Sequence, residues 1–212
     1  MSERTIAAIS TPPGVGGIAV IRISGADTVK IAASAYIGKS DLINAPTHTI
    51  HYGHIADTAG RIIDEVLVSI MRSPKSFTGE DVVEIGTHGG IAASKMVLKA
   101  LIANGASPAG PGEFTKRAFL NGKIDLSEAE GVIDIINARN ETAELNAVGQ
   151  ASGRLSRAIE DIRQNLLSLA ASMQVLIDYP DEDLADVTIE DIKSICEKGA
   201  RTQCPDAFKT RA

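Results

Sequence analysis

The 212-residue chain contains no tryptophan, and aromatic residues make up only 3% of it. It therefore offers little stacking surface for single-stranded nucleic acid. Its two cysteines are Cys196 and Cys204. Two thiols make neither a disulfide framework nor a metal cluster, and their scarcity suits a reducing cytosol. No apolar run reaches the ~18 residues of a membrane span. Ser2, Glu3 and Arg4 precede a short strand-like run instead of a long apolar stretch, so no signal peptide is expected. No Gly-x-x-x-x-Gly-Lys-Ser/Thr loop and no Asn-Lys-x-Asp element occur. Gly38-Lys39-Ser40 looks like the end of a phosphate loop, but Ala33 stands where its first glycine would be. Asp57-Thr58-Ala59-Gly60 lies in an expected hairpin, and Gly14-Val15-Gly16-Gly17 joins two strands, not a strand to a helix. None of the three has the context of a nucleotide site.

An apolar content of 44% can fill a core. Net charge is −6, unevenly spread. Residues 1–118 carry 11 basic and 10 acidic side chains, and residues 119–212 carry 10 and 17. The acidic second half argues against tight binding of RNA phosphate by that half alone. Hydrophobic periodicity predicts strands over Thr5–Ser10, Ile18–Ser24, His48–Ala56, Ile62–Met71 and Asp81–Gly86, with a hairpin turn at Thr58–Arg61. Helices fit Ala26–Ile37 and Ile91–Asn104, the latter stopped by Gly105.

From Glu113 onward the pattern is helical. One helix opens after Pro111-Gly112, the chain turns at Asn121-Gly122, and Ser127 is expected to cap the next helix. Leu155, Ile159, Ile162, Leu166, Leu169, Met173 and Leu176 form a heptad-like seam, read as part of one helix over Glu141–Ile177, roughly 55 Å long. Such a seam belongs in a bundle core. Pro180 ends that helix, and the acidic run Asp181-Glu182-Asp183 suits the start of a last helix around Thr188–Lys209.

Arg22 and Glu84 are out of place by pattern. Each sits in a strand whose two faces both carry apolar residues, so each strand is expected to be covered on both sides. An Arg in that setting needs a partner. The two satisfy each other, or one reaches a sheet edge, or they line a pocket. A fixed carboxylate can accept N–H donors from a heterocycle edge, and an Arg can grip a carboxylate. Lys123, on its turn, reads as a solvated residue. His48, His51 and His54 cannot share a metal along a strand, because His51 points away from the other two. His88-Gly89-Gly90 precedes a helix, where N–H groups can receive an anion or simply form a turn.

Several longer stretches occur in a fixed order. They are Thr11–Gly17, Arg22-Ile23-Ser24-Gly25, Ser76–Asp81, His88-Gly89-Gly90 and Pro111–Glu130. Together they resemble the MnmE family of tRNA modification GTPases, also called TrmE or ThdF, from about Thr5 to Thr188. The resemblance implies an α+β fold. A mixed-sheet domain over residues 1–120, similar to the tetrahydrofolate-binding domain of aminomethyltransferases, would be followed by a partial helical domain over residues 121–212. It implies a homodimer formed through the first domain, a cytoplasmic location, no membrane contact and an FAD-containing partner, MnmG. It also implies modification of the wobble uridine of certain tRNAs at carbon 5, with tRNA bound only in the full complex. A tetrahydrofolate derivative, of the 5-formyl or methylene type, is the implied one-carbon donor. The family's folate contacts fall on Arg22, Glu84 and Lys123. Glu84 would take the pterin N–H edge, and Arg22 and Lys123 would face carbonyl or carboxylate groups.

The resemblance also marks what these residues do not contain. The family's GTP, magnesium and potassium sites lie in a GTPase domain for which no motif is present, and the family's C-terminal Cys motif has no counterpart here. Residues 1–212 are therefore expected to be a fragment, and no catalytic or metal-binding residue is assigned. Three functions stay open: a folate-binding, dimer-forming module; a docking platform with a vestigial pocket; and an independent folate-dependent one-carbon transferase. The last lacks an obvious general base apart from Glu84.

Overall fold

Strict alternation of apolar residues builds the first half. In β2 (Ile18–Ser24), Ala19, Ile21 and Ile23 take one face, and Val20 and Arg22 take the other. β5 (Ile62–Met71) repeats this with Val66, Val68 and Ile70, and β6 (Val82–His88) with Val83 and Ile85. β1 (Ile6–Ile9), β3 (Tyr36–Ile37), β4 (Thr49–Ala56) and β7 (Ser107–Pro108) complete a seven-stranded sheet in the order β3-β4-β5-β6-β2-β1-β7. Only β7 pairs in parallel, with β1; the other pairs are antiparallel. Pro108, which has no N–H to donate, sits on that edge strand.

The computed structural model describes residues 4–178 and 188–203. The expected Pro180 break, the acidic run at 181–183, Cys204 and the end of the last helix lie outside the described residues, as does the Leu176 side chain. The chain divides into two compact units, Met1–Ile124 and Asp125–Ala212. In the first, α1 (Thr28–Ala35) and α2 (Ile91–Ala103) pack on one face of the sheet. Val29 and Ala32 of α1, and Val97 and Leu101 of α2, close a core over Ile21, Ile23, Val68, Ile70, Val83 and Ile85. The fold is α+β, and two of the expected strands, Ile18–Ser24 and Ile62–Met71, hold to the residue.

The opposite face corrects one expectation. β2 and β6 are covered on this side only at one end: Ser24 and Val82 are buried, but Arg22, Val20 and Glu84 are half-buried, and Ile18, Leu67, Tyr52 and Ile50 are exposed. Phe77 of the loop at residues 73–81 and Phe114 of α3 (Glu113–Leu120) lie over Arg22.

The second unit holds α4 (Leu126–Asn137), α5 (Glu141–Ala151), α6 (Arg154–Asp178) and α7 (Ile189–Gln203). Two details differ from expectation. Asp125, not Ser127, caps α4: its side chain accepts from the Glu128 N–H at 2.8 Å, and the Glu128 carboxylate accepts from the Asp125 N–H at 2.7 Å. The reciprocal box satisfies two orphan donors, which the competing Ser127 reading does not. The long helix is also two helices. Gly153 has a φ of 70°, a left-handed turn that only glycine adopts without strain, and the chain breaks there. Gly199, by contrast, does not interrupt α7.

Candidate functional site

The sheet register brings Arg22 and Glu84 together. They are direct cross-strand partners on β2 and β6, in a row that runs Ala8, Arg22, Glu84, Ser69 and Ile50 across five strands. Arg22 Nε donates to Glu84 Oε1 at 2.8 Å, and Arg22 Nη2 lies 2.7 Å from the same oxygen. The pair thus uses one carboxylate oxygen twice. Among the described residues nothing bonds Glu84 Oε2 or Arg22 Nη1. Both side chains keep about a quarter of their surface, 26% and 29%. The site therefore holds an open acceptor beside an open donor, a combination suited to an amide- or amidine-like ring edge.

Two aromatic rings flank the guanidinium. Its carbon lies 5.3 Å from the Phe77 ring centre and 5.6 Å from that of Phe114. Cation–π attraction of this kind contributes about 0.5–2 kcal/mol and fixes the plane of the Arg. Phe77 comes from the 73–81 loop and Phe114 from the first turn of α3.

Lys123 is not placed on the ion pair. Its Nζ donates to Pro74 O at 3.2 Å, and its stem lies where a Cβ on Gly79 would be, 2.9 Å from Lys123 Cγ. It joins the same loop that carries Phe77. Asn121 joins it as well, donating to Thr78 O at 2.8 Å.

Behind the rings is a buried polar chain that pattern reading missed. Ser24 Oγ lies 2.7 Å from both Thr78 Oγ1 and Glu80 Oε2. A carboxylate only accepts, so the Ser24 proton goes to Glu80 and the Thr78 hydroxyl donates to Ser24. Arg117 Nη1 reaches the two Glu80 oxygens at 3.2 and 3.1 Å, and its Nη2 donates to Arg4 O at 2.7 Å and to Glu113 at 3.2 Å. Glu113 is held below its ordinary carboxylate range, first by the Gly110 N–H and then by Arg117, against the opposing effect of burial. Thr78 stands next to Phe77, and Glu80 lies in a motif already noted. The Glu80 partner Arg117, 37 residues along the chain, gives no local signal.

The glycine-rich loop lies elsewhere. Gly16 N donates to Gly89 O, and Gly89 N to Gly17 O, so this loop is bound to the turn before α2. A Cβ on Gly89 would fall 2.3 Å from Gly16 O, which is why the turn requires glycine. A cavity of about 730 Å³ opens beside it, bounded by Pro12, Val15, Ile18, Ile91 and Lys95, and its lining includes none of Arg22, Glu84 and Lys123. His88 is tied to Asp64, with Nδ1 2.6 Å from Oδ1. That contact raises the imidazole above its usual value.

Two family models match the chain. "GTP-binding protein TrmE N-terminus" covers residues 5–123, and "MnmE helical domain" covers residues 126–203. The chain belongs to the MnmE family. Among curated relatives, the tRNA modification GTPase MnmE of Listeria welshimeri is 54% identical over 183 residues, which is 86% of this chain and 40% of that protein. The MnmE of Lactococcus lactis subsp. cremoris is 54% identical over 196 residues, 92% of this chain and 42% of its own length. That of Streptococcus suis is 52% identical over 188 residues, 88% and 41%. The chain therefore spans about two-fifths of the length of these MnmE proteins.

Proposed function

We propose that this chain is the folate-binding and homodimerising part of a tRNA modification GTPase. With the FAD protein MnmG, the whole enzyme would modify carbon 5 of the wobble uridine of certain tRNAs. The observation that carries the folate reading is the half-used ion pair: Glu84 Oε2 and Arg22 Nη1 remain open on an exposed sheet face. A pterin presents N–H donors beside a carbonyl, which matches an acceptor next to a donor. Glu84 would hold the N–H edge. Arg22, its plane set by Phe77 and Phe114, would donate to the carbonyl. Lys123, on the loop's far anchor, would meet a carboxylate by swinging from Pro74 O. The bound folate would supply the one-carbon unit. The protein's part is to bind and orient it.

The same reading takes in the likeness of the sheet domain to the aminomethyltransferase fold, a domain boundary near residue 120 and a cytoplasmic setting. Ile18, Ile50, Tyr52 and Leu67, all exposed on the Arg22 face, give a second copy apolar surface to cover. With no phosphate-loop motif in its 212 residues, the chain by itself would not hydrolyse GTP.

Titration of the chain with 5-formyltetrahydrofolate by calorimetry tests the reading. Binding by the parent and its loss in a folded Glu84→Ala variant are expected; equal binding by the two rejects the assignment. A second reading has its own support, since Arg22 and Glu84 do satisfy each other at 2.7–2.8 Å. A docking platform with a vestigial pocket would sediment as a dimer and take up no folate.

A further inference from the structure

We infer that the buried chain Thr78–Ser24–Glu80–Arg117 is the positioning device of the folate site, acting on the ligand through Phe77 and Phe114 without touching it. The inference rests on the folate reading above.

Ser24 lies two residues beyond Arg22 on the same face of β2, one pleat away. Thr78 and Glu80 bond to that serine from the 73–81 loop. The loop is thereby fastened to the strand that bears Arg22, and the residue next to Thr78 is the ring over the guanidinium. Arg117 fastens the same carboxylate to α3. Phe114 is three residues before Arg117, so one face of α3 supplies both the clamp and the second ring. Asn121 and Lys123 bond the outer side of the loop. All three proposed folate contacts are thus reached from one network: Arg22 through the rings, Glu84 through its bond from Arg22, and Lys123 through the loop.

Location argues for orientation over simple stapling. The hydrophobic core lies on the other face of the sheet, under α1 and α2. Arg117 and Glu80 keep only 5% and 19% of their side-chain surface. A desolvated pair of this kind is seldom more stabilising than apolar residues of the same volume, but it does fix direction. Here it fixes the two rings and the turn around a solvent-facing donor and acceptor.

The test is a double-mutant cycle in folate affinity on the whole chain. The variants are Glu80→Gln, Phe77→Ala and the double variant, titrated with 5-formyltetrahydrofolate by calorimetry, with unfolding midpoints measured alongside. Each single variant is expected to weaken binding about tenfold, and the double variant by less than the product of the two, because part of the effect of Glu80 runs through Phe77. A purely structural role would give losses that multiply. Thr78→Val, which removes one hydroxyl and keeps the shape, serves if Glu80→Gln does not fold, and is expected to weaken binding a few-fold. Parent-like affinity in Thr78→Val and Glu80→Gln, or multiplicative losses, overturns this inference and leaves the folate reading standing. A parent chain that does not bind the folate removes both.

Discussion

The two units differ in where their apolar residues go. Ile21, Ile23, Val68, Ile70 and Ile85 of the sheet unit have no exposed surface, whereas Leu155, Ile159, Leu166 and Met173 along α6 are each 43–50% exposed. Both segments carry strong apolar periodicity, so pattern strength does not separate them. What separates them is partners. The sheet finds α1 and α2 within its own unit. Among the described elements α6 packs mainly on α5 and α7, and Leu155, Ile159, Leu166 and Met173 of its seam stay largely open. A heptad-like stripe declares a need for packing, not that the packing is present.

This contrast can be broken most directly by truncating one residue of each kind. Leu101→Ala, in the sheet core, should cost about 2–5 kcal/mol of stability by transfer and cavity terms together. Leu166→Ala, on the open seam, should cost within about 0.5 kcal/mol. Chemical denaturation of both variants checks this, and comparable losses would mean the seam is covered in solution. Hydrogen exchange sharpens the same point. Amides of β2, β5 and β6 should be protected well beyond those of α6, because local opening is easier where few apolar contacts hold an element. Uniform protection would contradict the contrast.

Smaller effects mark how each unit holds its ends. Asp125→Ala should destabilise α4 by about 1 kcal/mol, read as faster exchange of its first-turn amides. Asp125 is held below its ordinary value by hydrogen bonds from Ser156 and the Glu128 N–H. Its contribution is therefore present above the unfolded carboxyl value and is lost as pH falls through the lowered one. In the sheet unit the sign reverses. Asp64 raises His88, so that contact stabilises fully below the unfolded imidazole value and fades as pH rises through the folded one. Asp64→Asn should lower the His88 midpoint in a ring-proton NMR titration; an unchanged midpoint would show that the contact does not form.

Much of this was legible in the residues. Alternation between clear turns fixed β2 and β5, because one-residue slips would expose their whole apolar set. Arg22 and Glu84 stood out as charges in apolar strands, and the register then made them neighbours. The two-residue strands β3 and β7 carry too little periodicity to see. The break at Gly153 was hidden by a seam that continues across the following helix. Ser127 has a cap's chemistry, but the Glu128 carboxylate folds back onto the Asp125 N–H, a detail of geometry that marks Asp125 as the cap. Phe77, Phe114, Glu80 and Arg117 were missed for one reason: each is ordinary in its own segment, and only tertiary contact gathers them around Arg22.

The central claim is that the Arg22–Glu84 pair is an open site, not a closed ion pair. Calorimetric titration of the parent chain and of Glu84→Ala with 5-formyltetrahydrofolate tests it most directly. Saturable binding by the parent, lost in a variant with an unchanged fold, is the predicted result. A parent chain that takes up no folate, or a variant that binds as tightly as the parent, would contradict it.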